Sequence, residues 1–311
     1  MAIPTDRLST WTNYEAAAIS SARDTHQHIR DRIERDDSRL NHRGEMRFDT
    51  TLQGSYANTT IVHDSSDVDI LVRMNNPYHG KITNLGRRNR DRYRNDVTYF
   101  QQDYSLLDFQ QDVYDELCEI YNSRAVTNGN KAIEIDSSKC VLPLDADVVP
   151  CQQYRAYHSY NGDYTDPRNF YRGIWFKSFN GTEIINHPTR HKHNGGDKND
   201  ADETNENYKK TIRIFKNARN HLVDLGRIAR ADAPSYHIEC LLYNVPSDKF
   251  RTNNHQERYY KIVDYLQNAN FRSFSAQHGL ENLFGHSEAQ WRQREAMRFV
   301  DELVWLWDYG R

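Results

Sequence analysis

The segment from Gln53 to Ile70, QGSYANTTIVHDSSDVDI, constrains the chain more than any other. It places a Gly-Ser pair upstream of two aspartates, Asp67 and Asp69, which stand one residue apart and lead into an apolar run. The flanking residues RFDTTL and VDILVRM are rich in the β-branched and apolar residues that are typical of strands. The segment therefore predicts two strands that are joined through a Gly-Ser turn.

The chemistry of this segment points to metal-bound phosphate. Asp67 and Asp69 would share one face of a strand, because residues i and i+2 point the same way. Two adjacent carboxylates repel each other unless a cation lies between them, and Mg²⁺ prefers carboxylate and phosphate oxygens. Gly54 would let a phosphate approach the backbone, and Ser55 offers an N–H and a hydroxyl. An isolated Asp-x-Asp is more often a pair of solvated aspartates, so the interpretation depends on its surroundings.

A third acid is available in the segment KCVLPLDADVVP. This segment predicts a strand that ends at Pro150, because proline cannot donate to a sheet ladder. Asp145 and Asp147 would share one face, and Asp147 is preferred because the apolar Val-Val-Pro after it suits a strand entering the core. Next to the strand of Asp67 and Asp69, it would complete a two-metal site, in which one metal holds a triphosphate and the other activates an attacking hydroxyl.

The composition is that of a globular protein with a polar surface. Charged residues make up 27% of the 311 residues, an ordinary share that argues against disorder of the whole chain. The net charge of −3 lacks the basic excess that binding of long nucleic acid requires, so no such partner is expected. No segment resembles a signal peptide or has the ~18 apolar residues needed to cross a bilayer, and the four scattered cysteines suit a reducing compartment. We therefore expect a cytoplasmic protein with no membrane partner.

Residue patterns divide the chain into a mixed first part and a helical second part. Helices are predicted over 12–35 and 99–121, and strands over 47–52, 68–74, 131–135 and 139–149. The very polar segment 186–207 is interpreted as a surface loop near a domain boundary. Helices are predicted over 208–225, 235–243, 255–268 and 288–307. The fold class is thus α+β, with a core over 1–185 that includes the long N-terminal helix and a helical lobe over 186–311. The cleft between them is the default place for an active site.

Three blocks together resemble one family. GSYANTTIVHDSSDVDI resembles the Gly-Ser and Ser-Asp-x-Asp motif of nucleotidyltransferases with polymerase β-like cores. With the distant Asp-Val-Val-Pro, it is similar to the cGAS/DncV-like nucleotidyltransferases (CD-NTases) of bacterial CBASS anti-phage systems. KKTIRIFKNARN and APSYHIECLLYNVP resemble the helical lobe of that family, most of all its E clade. The resemblance covers nearly the whole chain and implies a polymerase β-like core with a C-terminal helical lobe.

The resemblance implies roles for the matching residues of the core. Asp67, Asp69 and Asp147 would be the catalytic acids that bind two Mg²⁺ ions, with Mn²⁺ as an alternative. Gly54 and Ser55 would contact the triphosphate.

In the helical lobe, the resemblance implies that Lys216 and Ser235 hold the donor phosphates and that Tyr236 stacks on a base. A lysine in an amphipathic helix and a serine at a helix N-terminus both suit anions. Taken alone, Lys216 is more often a solvated surface lysine than a phosphate ligand. Tyr236 alone is at least as often a core tyrosine as a base-stacking residue. The prediction therefore depends on their combination with the Asp-x-Asp pair. Asn186, in IINHP, would read a base, and the E clade links an Asn near this position to uracil. An Asn amide matches uracil but can also match adenine, and an Asn that caps a turn before Pro188 is an equal alternative.

Two further clusters carry weaker signals. His187, His191 and His193 have the look of a metal site, but no carboxylate or Cys partner has convincing spacing, so a solvated loop is favoured. The basic run RRNRDRYR at 87–94 could meet nucleic acid or a partner, but the interspersed Asp91 and the overall acidity favour a solvated face.

The function that the resemblance implies is synthesis of a cyclic dinucleotide or trinucleotide from NTPs. The product would be a second messenger for a downstream effector in anti-phage defence, and the enzyme is expected to be a monomer. No Cys/His cluster matches the zinc-binding insertion of the animal enzyme, so activation by double-stranded DNA in the animal manner is not expected. Two rivals remain: a linear oligonucleotide polymerase, and a catalytically idle nucleotide-sensing module, which the presence of all three acids disfavours.

Overall fold

The structure is a computed structural model that describes residues 2–14, 16–42, 46–62, 67–97, 104–287 and 289–310. The helices are α1 Thr5–Thr10, α2 Ala16–Ile33, α3 Gly54–Asn58, α4 Arg87–Asp96, α5 Leu106–Tyr121, α6 Pro188–Asn199, α7 Ala201–Thr204, α8 Tyr208–Asp224, α9 Ser235–Tyr243, α10 His255–Asn268 and α11 Gln293–Tyr309. The strands are β1 Arg47–Leu52, β2 Val68–Lys81, β3 Val126–Asn128, β4 Ile133–Ile135, β5 Ala146–Tyr157, β6 Phe170–Lys177 and β7 Glu183–Asn186. Both long helices predicted in the first part of the chain are confirmed as α2 and α5, although residues 99–103 of the second prediction lie outside the described residues and α5 begins at Leu106. The α+β class is confirmed as well.

Contacts between residues divide the chain into two units. The helical unit comprises Met1–Ala16, Ala57–Asp64 and Arg190–Arg311, and the sheet unit comprises Ala17–Tyr56 and Ser65–Thr189. The division predicted after residue 185 therefore differs at three places, because two segments from the first part of the chain belong to the helical unit. Ile3 and Leu8 are buried in the helical core, and the carbonyl of Thr59 accepts a hydrogen bond from Arg213 of α8 at 2.6 Å.

The sheet places the two acidic segments next to each other. Its strand order is β1-β2-β5-β4-β3, and β6 pairs with both β5 and β7. β2 and β5 run parallel, whereas the other pairs are antiparallel. Ile70, Val72 and Val148 are fully buried, as expected for central strands that are covered on both faces. The apolar runs of the sequence thus fix β2 and β5 at the centre of the sheet.

β5 continues to Tyr157 and does not end at Pro150, as the sequence predicted. It also begins at Ala146 rather than near residue 139. On one side of β5, β4 pairs only with residues 146–148 and β6 only with residues 152–157. Pro150 lies in the gap between these two neighbours, so its missing N–H breaks no ladder bond on that side.

The segment predicted to be a polar surface loop forms α6 and α7 instead. His191, Gly195 and Lys198 recur at helical spacing and turn inward. Gln277 packs against Gly195 and donates its amide N–H to the carbonyl of His191 at 2.7 Å, and the Lys198 amine donates to two backbone carbonyls at 2.7 and 2.8 Å. The prediction was wrong because this helix buries polar groups with hydrogen-bond partners, so its sequence lacks apolar periodicity.

The helical unit has one apolar core around α8. α8 contributes Tyr208, Ile212, Phe215 and Leu222 to it, and α11 contributes Phe299, Leu303 and Leu306. The helices predicted after residue 207 are confirmed, although the last begins at Gln293 rather than near 288. All four cysteines are free. Among the described residues, no helix combines the length and the apolarity that a membrane span requires.

Candidate active site

Three carboxylates lie in one row across the sheet. Asp69 of β2 pairs in register with Asp147 of β5, and Asp147 pairs on its other side with Glu134 of β4. Residues in register on neighbouring strands share a face, with Cβ atoms about 5 Å apart. Asp67 immediately precedes β2, and the N–H of its neighbour Val68 donates to the carbonyl of Asp145 at 2.8 Å. The predicted acids Asp67, Asp69 and Asp147 are thus brought together.

Burial and neighbouring carboxylates raise the pKa values of Asp67 and Asp147. Burial, followed by the charges of Asp67, Asp69, Glu134 and Asp145, raises the pKa of Asp147 to about 7. Burial and the charges of Asp145 and Glu134 also raise the pKa of Asp67 above its ordinary value. The row is therefore a concentration of negative charge.

The Gly-Ser motif begins a short helix beside this row. Gly54 is the first residue of α3 and has a φ of +71°, a conformation that favours glycine. A Cβ at Gly54 would overlap the carboxylate of Asp69. The N–H of Gln53 donates to the carbonyl of Asp69 at 2.9 Å. Only glycine allows this close approach, which places Ser55 in the first turn of α3, next to the acids.

The donor set fits a divalent cation. Among the described residues, no three His, Cys, Asp or Glu side chains already stand close enough to enclose a metal ion. The acids nevertheless supply only oxygen ligands, which Mg²⁺ prefers. Their mutual repulsion is the conflict that a bound cation resolves, and Asp67, Asp69 and Asp147 are the residues that would hold it.

A cavity of about 430 Å³ opens along the same row. It is lined by Asp67, Asp147, Glu134, Arg124 and Lys139, among other residues. Glu134, Arg124 and Lys139 are lining residues that the sequence did not predict. The only signal for Glu134 was its position between two isoleucines in a short strand, and nothing in the sequence marked the two cations.

Lys216 is buried within the helical unit. Its side chain is 2% exposed, and its amine donates to the Thr60 carbonyl at 3.2 Å, to Thr60 Oγ1 at 3.1 Å and to Glu239 Oε1 at 2.5 Å. All three N–H bonds of the ammonium group have acceptors within the helical unit. In the structure the buried carboxylate of Glu239 binds this cation, and the expected contact of Lys216 with phosphate stays a prediction.

Glu239 also binds a second cation. Its carboxylate accepts a hydrogen bond from His191 Nε2 at 2.9 Å and one from Thr60 Oγ1 at 2.7 Å. Burial opposes ionisation of Glu239, but the charges of Lys216 and His191 hold its pKa well below the ordinary value. Burial likewise lowers the pKa of His191, but interactions with Cys240 and Glu239 outweigh it and raise the pKa to about 9. His191 is therefore a buried cation at neutral pH.

Ser235 and Tyr236 lie together in the first turn of α9, where backbone N–H groups lack helical partners. Tyr236 stacks on His191, with ring centroids 5.1 Å apart and 25° between the planes. The side chains of Ser235 and Tyr236 are both partly buried. Their predicted roles toward phosphate and base stay predictions.

Asn186 is the last residue of β7 and pairs with Ile174 of β6, which pairs with Gln153 of β5. Because Gln153 and Asp147 are separated by an even number of residues, Asn186 lies on the sheet face of the acids, several residues further along β5. Its Oδ1 accepts a hydrogen bond from the N–H of His187 at 2.7 Å. Its role in base recognition stays a prediction.

The three histidines of the HxH segment do not form a metal site. His187 contacts the carbonyl of Arg172 at 3.0 Å, and His191 contacts Glu239. His193 is exposed and pairs with Asp197. The solvated loop predicted here is wrong for His187 and His191, because both are buried.

Together, these features define the class. The acids at the start of two parallel strands, the glycine-dependent helix start beside them and the separate helical unit are those of a nucleotidyltransferase with a polymerase β-like core.

Comparisons with known proteins specify the family. Residues 193–308 match the cGAS/DncV-like nucleotidyltransferase C-terminal helical domain. The chain is 35% identical to cyclic nucleotide synthase CdnE01 of Staphylococcus haemolyticus over 311 residues, which is 99% of each chain. It is 34% identical to the cyclic UMP-AMP synthase of Rhodothermus marinus over 314 residues, covering 99% of this chain and 98% of the relative. The structure of Rhodothermus marinus CdnE c-UMP-AMP synthase with Apcpp and Upnpp superimposes with a TM-score of 0.84 at 33% identity, covering 99% and 98% of the two chains. The chain belongs to the CD-NTase family and, within it, to the E clade.

Proposed function

We propose that this enzyme uses two divalent cations, held by Asp67, Asp69 and Asp147, to join ATP and UTP into a cyclic dinucleotide. Synthesis of a cyclic nucleotide is the activity of the full-length relatives that the chain matches. The two bases and the number of cations belong to the proposal, and the Rhodothermus marinus enzyme, solved with Apcpp and Upnpp, supports the choice of bases.

The pairing of Asp69 with Asp147 across two parallel strands carries the proposal. This pairing holds two carboxylates on one face of the sheet. Asp67, which immediately precedes β2, adds a third. Divalent cations bound there would hold the triphosphate and lower the pKa of the attacking hydroxyl. The raised pKa of Asp147 supports the proposal, because perturbed carboxylates cluster at functional sites.

The chain's own residues position the reactants. The backbone N–H groups at the start of α3, with the Ser55 hydroxyl, would bind the triphosphate and align it for in-line attack on the α-phosphorus. The 3′- or 2′-hydroxyl of the second nucleotide forms the new P–O bond as pyrophosphate leaves. A second transfer of the same kind closes the ring. Ser235 and Tyr236 would bind phosphate and base.

Asn186 is proposed to favour uracil. Its Oδ1 already accepts one hydrogen bond from the backbone, which orients the amide and leaves Nδ2 to donate. O4 of uracil accepts such a bond, and the second lone pair of Oδ1 can accept N3–H. Cytosine presents a donor where uracil presents O4, so this orientation discriminates between the two pyrimidines.

The experiment supplies all four NTPs with Mg²⁺ or Mn²⁺, with one NTP radiolabelled at a time. The products are treated with phosphatase and identified by mass spectrometry. The expected product resists phosphatase and has the mass of cyclic UMP-AMP. Products that remain phosphatase-sensitive would indicate the linear polymerase, and a cyclic product without uracil would contradict the assignment of bases.

Two variants separate the parts of the proposal. Asp147→Asn should abolish product, because it removes one metal ligand while nearly preserving side-chain volume. Asn186→Ala should retain total product but lose the preference for UTP over CTP by about tenfold, the value of one good hydrogen bond. Full activity of Asp147→Asn would contradict the proposed metal site. If Asn186→Ala keeps the preference for UTP over CTP, Asn186 does not select the base, and the metal site is unaffected by that result.

The product is proposed to act as a second messenger for a downstream effector in anti-phage defence. To test this step, a candidate effector is given either the purified product or the linear dinucleotide, and its activation is measured. Activation by the linear form alone would contradict it.

A further inference from the structure

We propose that Arg219 is a positioning residue that fixes the hydroxyl of Ser235 as a hydrogen-bond donor toward a nucleotide phosphate. The inference rests on the proposed role of Ser235. It starts from an unusual feature of α8: the side chains of Arg213, Lys216 and Arg219 are each no more than 5% exposed. Of these three cations, Lys216 has the carboxylate of Glu239, whereas Arg219 has none among the described residues.

The contacts of Arg219 are all with neutral groups. Its Nε donates to Asn220 Oδ1 at 2.8 Å, Nη1 donates to the carbonyl of Ala233 at 2.7 Å, and Nη2 donates to Ser235 Oγ at 3.2 Å. Burial, followed by the charge of Arg230, lowers the pKa of Arg219 to about 10. It therefore stays charged at neutral pH, and its nearest interacting charge adds to the positive potential rather than cancelling it.

The direction of the hydrogen bond decides what Ser235 can do. A guanidinium group only donates, so Ser235 Oγ must be the acceptor in this pair. The hydroxyl hydrogen of Ser235 is then directed away from Arg219 and is available to an external acceptor. Without Arg219, the hydroxyl could rotate freely and would donate or accept with equal ease.

The location of the cation adds a second effect. Ser235 is the first residue of α9, and the N-terminus of a helix carries partial positive charge. A buried cation at that end is unfavourable for the empty protein but favourable when an anion binds. Arg219, the N–H groups of α9 and the oriented hydroxyl of Ser235 all favour the same ligand class, which is the phosphate of a nucleoside triphosphate.

A double-mutant cycle tests the proposal. Ser235→Ala is expected to raise the KM for the donor NTP by about 10- to 100-fold, because one charge-assisted hydrogen bond is lost. Arg219→Met should raise the same KM by about tenfold with a smaller effect on kcat. In the double variant, the effect of Arg219→Met should be largely absent. Arg219→Lys should recover part of the loss, since it restores a buried cation and one donor.

Arg258 provides a matched control. It is fully buried, its pKa is also lowered to about 10 by burial, and it binds only neutral groups, the Thr252 carbonyl and His255 Nδ1. Arg258→Met should lower the melting temperature about as much as Arg219→Met and leave the KM unchanged. Equal rises in KM for both variants would show that Arg219 is merely structural.

The outcomes distinguish this inference from the proposed function. If Ser235→Ala leaves KM unchanged, the phosphate role of Ser235 fails and this inference fails with it. If Ser235→Ala raises KM and Arg219→Met raises the KM of that variant by as much as it raises the KM of wild type, the role of Ser235 stands. Arg219 then does not act through Ser235.

Discussion

At the scale of single residues, two carboxylates show opposite responses to burial. The pKa of Asp147 is raised to about 7 by burial and by four other acids, whereas the pKa of Glu239 is lowered because two cations surround it. The charges that raise the pKa of Asp147 are all negative, and a bound metal would offset them. Glu239 already has its counter-charges, and its role is therefore to hold the helical unit together.

Replacement of Glu239 tests this role. Glu239→Gln leaves Lys216 and His191 buried without an anion, so the free energy of unfolding should fall by about 3–5 kcal/mol. The control is Lys261→Met, which removes the exposed ion pair with Glu257 and should change stability by less than about 1 kcal/mol. Urea unfolding measures both. Similar small losses in the two variants would mean that the buried network adds little.

Thr59 is a second residue with a specific prediction. Its φ is +56°, a left-handed conformation that is strained for a β-branched residue. Thr59→Gly should therefore raise the free energy of unfolding by about 1 kcal/mol. Thr59→Ala, which keeps a Cβ, should bring no comparable gain. A loss of stability in Thr59→Gly would show that the bond from Thr59 Oγ1 to the Asn58 carbonyl outweighs the strain.

At the scale of elements, α6 is a helix held by polar contacts. His191 pairs with Glu239 of α9, and the amide N–H of Asn194 donates to the carbonyl of Gln277 at 2.7 Å. An apolar helix is insensitive to pH, but one that buries an imidazolium is not. The packing of α6 on α9 should therefore depend on protonation of His191.

The pH dependence of stability follows from the sign of this shift. His191 has a pKa of about 9 in the folded protein, against an ordinary 6.5. Its contribution, on the order of 3 kcal/mol, is present in full below pH ~6.5 and is lost as pH rises through about 9. Comparison of unfolding free energies of wild type and His191→Gln between pH 6 and 10 should isolate this loss. His193→Gln, at an exposed position, should behave as wild type; identical slopes for wild type and His191→Gln would refute the assignment.

At the scale of the whole molecule, the two units carry opposite local charge that the net charge of −3 conceals. The sheet unit gathers acids in a row. The helical unit buries three cations of α8, of which Lys216 pairs with the carboxylate of Glu239. The acids of the sheet unit are the proposed site of the divalent cations.

Removal of metal should therefore stop activity and leave the fold intact. EDTA is expected to reduce product formation to background, and added Mg²⁺ should restore it. The fold should persist, because backbone hydrogen bonds and buried apolar side chains join the central strands. Circular dichroism measured in EDTA should match that of the untreated protein. Activity that persists in EDTA, or unfolding on its addition, would contradict the site as described.

The sequence by itself determined the local features of this protein. Gly54 and Ser55, the Asp-x-Asp pair and Asp147 were predicted as a metal and phosphate site, and the long helices α2 and α5 and the central strand β2 follow from periodicity. These features depend on residues that are near one another in the chain or on apolar patterns that extend over a whole element.

Only the tertiary structure decided which polar residues are buried. In the structure, Glu134 lies beside Asp147 and Lys216 pairs with Glu239. Residues 188–199 form a helix, and β5 continues past Pro150. Each of these outcomes depends on a partner that is distant in sequence: a neighbouring strand, a gap between two strands or a carboxylate on another helix. A polar residue has no fixed preference for the interior, because the free energy of burying it depends on whether a hydrogen-bond partner or counter-charge is already there.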